Sequence, residues 1–188
     1  MAEARAAWVG RQAAELRGRL IFLDETWTST AMTRRWAWAD VGKRALGCAP
    51  NGHWKTTTFL AGLTAQGLVA PFVLDGPMNG ECFCAYVEHV LARELKPGDI
   101  VILDNLSSHK SERAAALIAA AGARFAFLPP YSPDLNPIEM MFAKFKALLR
   151  KAEARTVEAL WDLIGRLLDE ITPEECTNYI RHCGYVPL

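Results

Sequence analysis

Apolar runs and alternating stretches divide the chain into an ordered series of elements. Leu20-Ile21-Phe22-Leu23 is a short apolar run ending at Asp24-Glu25, the pattern of a strand buried on both faces. Thr56 to Leu60 and Val69 to Leu74 also favour strand, with Thr64-Ala65-Gln66-Gly67 between them as a turn. Arg34 to Trp38 is expected to add a further short strand. Asn79 then caps a helix whose apolar stripe is Phe83, Tyr86, Val87, Val90 and Leu91. Pro97-Gly98 breaks that helix, and Ile100-Val101-Ile102-Leu103 forms a second fully apolar strand ending at Asp104-Asn105.

A helix from about Ser108 packs Ala114, Leu117, Ile118 and Ala121, and Gly122 stops it. Arg124 to Leu128 is a last strand. Three helices follow a proline-rich loop, starting at Pro137, Val157 and Pro173, and Thr172-Pro173-Glu174-Glu175 supplies a capping box. A hairpin followed by βα alternation predicts an α/β fold: a mixed, ribonuclease-H-like sheet flanked by helices, with a helical C-terminal segment. A receiver-type doubly wound domain would place a helix directly after the first strand, where this chain places strands.

At 188 residues the chain is the size of one ordinary domain. Residues 20–188 are expected to form it, with residues 1–19 as a linker or remnant. That leading segment is rich in Ala and Arg and lacks the apolar core of a signal peptide. No apolar run reaches the roughly 20 residues that span a bilayer, so a cytoplasmic protein without a membrane partner is expected. Five cysteines at irregular spacing suit reduced, mostly buried thiols in a reducing compartment. Cys176 and Cys183 share a helical stripe with Tyr179 and Ile180, and core packing is the expected role. Cys82 and Cys84, two apart on a helix, point to different faces.

Net charge is zero, from 21 basic and 21 acidic residues, which argues against tight nucleic-acid binding by this chain alone. Charge is nonetheless uneven. Lys144, Lys146, Arg150, Lys151 and Arg155 fall on one helix and its exit, opposed only by Glu153. A solvated helix face explains them, as does contact with phosphates.

Candidate chemistry lies in the acids. Asp24 and Asp104 each follow an apolar strand, at the sheet edge where open α/β sheets bind ligands. If the two strands are parallel neighbours, their carboxylates converge and offer the oxygen ligands that Mg²⁺ prefers. Caps on a turn or helix would explain either aspartate alone. Glu139 sits in the first turn of the helix from Pro137. Asn136-x-x-Glu139 resembles a capping box, yet the same face continues to Lys146 and Arg150. An acid at the tip and bases along the length suit a metal beside DNA phosphates.

Leu23-Asp24-Glu25, Leu103-Asp104-Asn105 with His109-Lys110, and the run Pro129-Pro130-Tyr131-Ser132-Pro133-Asp134-Leu135-Asn136-Pro137-Ile138-Glu139 resemble the DDE-type transposases of bacterial insertion sequences related to mariner. The 34 residues between Asp104 and Glu139 match the separation common in that family. The resemblance implies that Asp24, Asp104 and Glu139 are catalytic ligands of Mg²⁺ or Mn²⁺, two ions in all. Asn105, His109 and Asn136 are implied in supporting roles. Arg34, Arg35, Lys144, Lys146 and Arg150 are the expected DNA contacts. The implied reaction hydrolyses a phosphodiester at the transposon end, after which the freed 3′-hydroxyl attacks target DNA. Double-stranded DNA, at transposon ends and target, is the implied partner, and the active form is expected to be a homodimer.

Two departures qualify the match. Met140 and Met141 follow Glu139 where relatives often begin with a polar residue. Relatives also carry helix-turn-helix segments ahead of the first aspartate, whereas 23 residues precede Asp24 here. One half of a split transposase, with the DNA-binding module in a separate frame, is the expectation. A non-catalytic remnant and a ribonuclease-H-like nuclease without strand transfer are the alternatives.

Overall fold

The structure, a computed structural model, describes residues 2–51, 54–104 and 111–186, excepting the side chains of 11 and 13–15. Five strands form one sheet: β1 (Leu20–Ser29), β2 (Thr56–Thr64), β3 (Gly67–Asp75), β4 (Ile100–Leu103) and β5 (Arg124–Phe127), in the order β3-β2-β1-β4-β5. β1, β2 and β3 run antiparallel, while β4 and β5 run parallel to β1. This is the ribonuclease-H-like arrangement that the hairpin and βα pattern predicts. The antiparallel hairpin after β1 excludes the receiver-type alternative.

Side-chain parity assigns the faces. Phe22, Ile100 and Ile102 pack into one apolar cluster with the C-terminal helices, and Ile21, Leu23, Val101 and Leu103 into another on the opposite face. The second face is covered by α2 (Gly80–Tyr86), which runs on through a π-helical turn at Val87–Leu91 into α3 (Ala92–Glu94), and by α4 (Glu112–Ala120). The first is covered by α5 (Pro137–Ala152), α6 (Val157–Leu168) and α7 (Pro173–His182). The predicted caps are in place: the Asn79 side chain accepts from Cys82 N–H, and Thr172 and Glu175 form a capping box at the start of α7. Cys176 and Cys183 are buried, as the stripe requires. Ser111 caps α4; the earlier start expected near Ser108 lies outside the described residues.

Three expectations change. β1 does not end at Asp24 but continues to Ser29, because β2 pairs with it along that whole length whereas β4 leaves off after Phe22↔Ile102. Arg34 to Trp38 form no strand: all five residues are exposed, so nothing in this stretch is buried against a sheet face. The leading segment folds as α1 (Ala2–Glu15), with Trp8 buried in the core. Trp8 Nε1 donates to the Tyr185 hydroxyl at 3.0 Å, and that hydroxyl donates to the Leu135 carbonyl at 2.8 Å. Arg5 and Asp134 form a two-pronged ion pair at 2.8 and 2.6 Å. Helix α1 therefore braces the proline-rich loop. Among the described residues no helix is long and apolar enough to cross a membrane.

Docking of α1 predicts that Trp8→Ala destabilises the protein by about 3 kcal/mol, the usual scale for emptying a buried aromatic site. Urea unfolding measures this. A loss below about 0.5 kcal/mol, the size of an ordinary surface substitution, would mean that α1 is not part of the folded unit.

Candidate active site

The site follows from strand parity. Asp24 and Asp104 lie two residues beyond Phe22↔Ile102, the last pair between β1 and β4. Both therefore continue the α5-facing rows. Glu139 lies in the first turn of α5, the helix packed on that same face. All three acids line one cavity of about 400 Å³, together with Asn136 and the Leu128–Pro133 loop. Two strands and one helix, far apart in sequence, thus bring the predicted acids together.

Asp24 is the most constrained of them, with 8% of its surface exposed. Its Oδ1 accepts from Glu25 N–H at 2.8 Å, and its Oδ2 accepts from Asn136 Nδ2 at 2.9 Å. Burial, then the charge on Glu139, and to a lesser degree Asp104 push its pKa up to about 8, while the Glu25 N–H opposes the rise. A carboxylate in this position is poorly solvated and meets like charge.

Asn136 is buried ahead of α5 but makes no side-chain cap to that helix. The capping-box explanation of Asn136 and Glu139 therefore fails. The amide instead serves Asp24, and its own Oδ1 is buried with no hydrogen-bond partner. Asn105 and His109 lie outside the described residues.

A divalent cation fits the donor set. Hard oxygen ligands line the cavity, and a positive charge would relieve the repulsion that raises Asp24. Among the described residues no three acidic, His or Cys side chains stand close enough to ligate one ion as placed.

The expected DNA contacts divide. Burial draws the Lys146 ammonium below its ordinary range; Glu139 opposes this, and Arg150 and Arg35 add to it. Lys146, Arg150 and Arg35 thus form one positive group beside the acids. Lys144 leaves the group. Its Nζ contacts the Glu175 carboxylate at 2.6 and 2.8 Å and the Glu170 carbonyl at 2.8 Å, tying α5 to α7. Arg34 is exposed, and its backbone N–H donates to Glu153 at 3.5 Å. Glu153, left-handed at φ 55°, also accepts from Thr33, while Arg155 donates to the Thr30 and Met32 carbonyls. These bonds hold the start of the loop after β1 against the end of α5.

Sequence reading missed Trp27, half-exposed near the acids, whose ring lies 5.0 Å from Lys146 Nζ. A tryptophan on a strand three residues past a candidate ligand was the available signal. Tyr131, quoted only as part of the loop motif, lines the same cavity.

A family model described as a DDE superfamily endonuclease matches residues 19–161. The crystal structure of the Mos1 mariner paired end complex with Mn matches with TM-score 0.71 and 20% identity, over 96% of this chain and 56% of that one. The Mg form of the mariner Mos1 paired end complex matches with TM-score 0.69 and 20% identity, over 96% and 58%. The Mos1 strand transfer complex matches with TM-score 0.63 and 19% identity, over 98% and 60%. At this identity the likeness is one of fold, and the chain spans a little over half the length of these structures. No curated protein sequence matches it.

The electrostatics of Asp24 give a pH prediction. With its pKa raised from 3.8 to about 8, the folded chain holds a proton that the unfolded chain releases in that window. Stability therefore falls as pH rises between those values, by at most about 1.4 kcal/mol per pH unit. Urea unfolding in chelator from pH 5 to 9 should show this decline, and Asp24→Asn should flatten it. Turning the Asn136 amide would let its spare Oδ1 accept from the new side chain. An equal decline in both proteins would show that Asp24 is not the group responsible.

Proposed function

The chain belongs to the DDE superfamily of endonucleases, and we propose that it is the catalytic domain of a DNA transposase, with Asp24, Asp104 and Glu139 as the ligands of two divalent metal ions. The observation that carries this reading is the meeting of those acids, from β1, β4 and α5, on one cavity. Bound Mg²⁺ or Mn²⁺ would supply activation of water and neutralisation of charge at the scissile phosphate. The solved Mos1 complexes contain Mn and Mg, in keeping with that choice of ion.

The chain's own residues orient and exclude. Asn136 and the Glu25 N–H fix both oxygens of Asp24, so Asn136 is a positioning residue. The three carboxylates act as ligands and none needs to become a nucleophile. Lys146, Arg150 and Arg35 meet DNA phosphates rather than base edges, which draws the strand to the acids without reading its sequence. Hydrolysis at the transposon end frees a 3′-hydroxyl, which then attacks target DNA. Sequence preference comes from a helix-turn-helix module, upstream or on a partner chain, and the active form is a homodimer on paired ends. The Mos1 structures are paired-end and strand transfer complexes, which supports DNA as the partner.

Asp104→Asn should abolish Mn²⁺-dependent cleavage and 3′-end joining while thermal unfolding stays unchanged or rises. Cleavage near the wild-type rate would remove Asp104 from the ligand set; cleavage without joining by the wild type would mark a nuclease instead.

Salt titration of DNA binding separates the lysines. Lys146→Ala or Arg150→Ala should weaken binding and reduce the slope of log K against log salt by about one phosphate contact. Lys144→Ala should leave that slope unchanged and lower stability through its lost bond to Glu175. A changed slope for Lys144→Ala alone would return it to the DNA face.

A further inference from the structure

The cavity that holds the three acids has a second wall for which a metal site alone has no use. Leu128, Pro129, Pro130 and Pro133 make that wall apolar, and Tyr131 joins it with 86% of its own surface exposed. Tyr131 has φ 55°, in the left-handed region where a bulky side chain is a genuine outlier. Proline stiffens the chain on both sides of it. Ser132 Oγ donates to the Pro130 carbonyl at 3.3 Å, and Leu128 N–H donates to the Leu103 carbonyl at 2.8 Å. The turn is therefore anchored to the residue just before Asp104.

Strained backbone persists where the surroundings over-determine it, and it gathers at ligand clamps. The strain here does not bury the ring. It presents the ring to solvent beside the acids, where it contributes little to the core. The conformation serves what enters the cavity.

We propose that Tyr131 stacks on the nucleobase next to the phosphodiester that the acids address. One nucleotide is then held at two points, its base against Tyr131 and its phosphate at the divalent cations that Asp24, Asp104 and Glu139 would hold. With cations on the acids the ligand would match the cavity in kind, because a nucleotide joins an anion to a flat ring with an apolar face. Every base has such a face, so the contact tolerates any sequence. That tolerance agrees with Lys146, Arg150 and Arg35 meeting phosphates. The inference rests on the DNA-processing reading above.

The test uses the full chain, Mn²⁺ and a duplex oligonucleotide bearing one unpaired terminal 2-aminopurine. Tyr131→Gly suits φ 55° without strain. Tyr131→Asn, which also tolerates that region, is the second variant should the glycine fold poorly. Wild type and Tyr131→Phe should quench the 2-aminopurine alike. Tyr131→Gly and Tyr131→Asn should lose the quenching and bind about 10- to 100-fold more weakly, the scale of one base-stacking contact, with Tm unchanged or higher. Equal quenching and affinity in Tyr131→Gly would overturn the proposal. So would loss in Tyr131→Phe as great as in Tyr131→Gly, because the hydroxyl rather than the ring would then carry the contact. If the wild type cleaves no DNA but quenches through Tyr131, the stacking contact stands and the cleavage reading falls.

Discussion

The repulsion concentrated at Asp24 is the constraint around which the site is organised. Its carboxylate is buried where β1 outruns β4, with Glu139 and Asp104 on the same cavity and the Glu25 and Asn136 donors as its hydrogen-bond partners. Such a group is unfavourable in a folded protein unless it is neutralised by a proton or a cation. The rise of its pKa to about 8 expresses the first outcome, and the donor chemistry of the cavity suits the second. A fold selected for stability alone would place an apolar side chain on this row, as it does at Phe22 and Ile102.

That arrangement explains the bracing around the proline-rich loop. Asn136 and Glu139 must approach β1 from α5, so the loop before them has to be held still. Tyr185 holds the Leu135 carbonyl, Trp8 holds Tyr185, and Arg5 holds Asp134. Helix α1 and the segment after α7 thus converge on one short segment beside the acids. At the other end of α5, Glu153 and Arg155 hold the loop after β1, which carries Arg35. Acids and cations are both positioned by α5, from opposite ends of the same helix.

Much of this was legible in the sequence because it depends on periodicity. The apolar runs at Leu20 and Ile100 predict buried strands, and their parallel pairing in the structure then sends Asp24 and Asp104 to the same face. The rest depends on partners that local pattern cannot name. Asn136-x-x-Glu139 has the spacing of a capping box, but the Asn136 amide turns to an aspartate 112 residues earlier. Lys144 shares a helix with Lys146 and is claimed by Glu175 on α7. Arg34 to Trp38 has strand-like composition but lies wholly exposed and pairs with no strand of the sheet. Residues 1–19 look like a linker or remnant by composition, and the bond to Tyr185, far along the chain, marks Trp8 as a core residue.

The central claim is that Asp24, Asp104 and Glu139 share divalent metal. A crystal structure of the protein grown or soaked with Mn²⁺, with anomalous difference maps, tests it most directly. The account predicts anomalous peaks inside the cavity, within ligating distance of all three carboxylates taken together, with the Asn136 amide still on Asp24. Peaks confined to surface acids, or a Glu139 side chain directed away from Asp24 and Asp104 with Mn²⁺ present in excess, would contradict it.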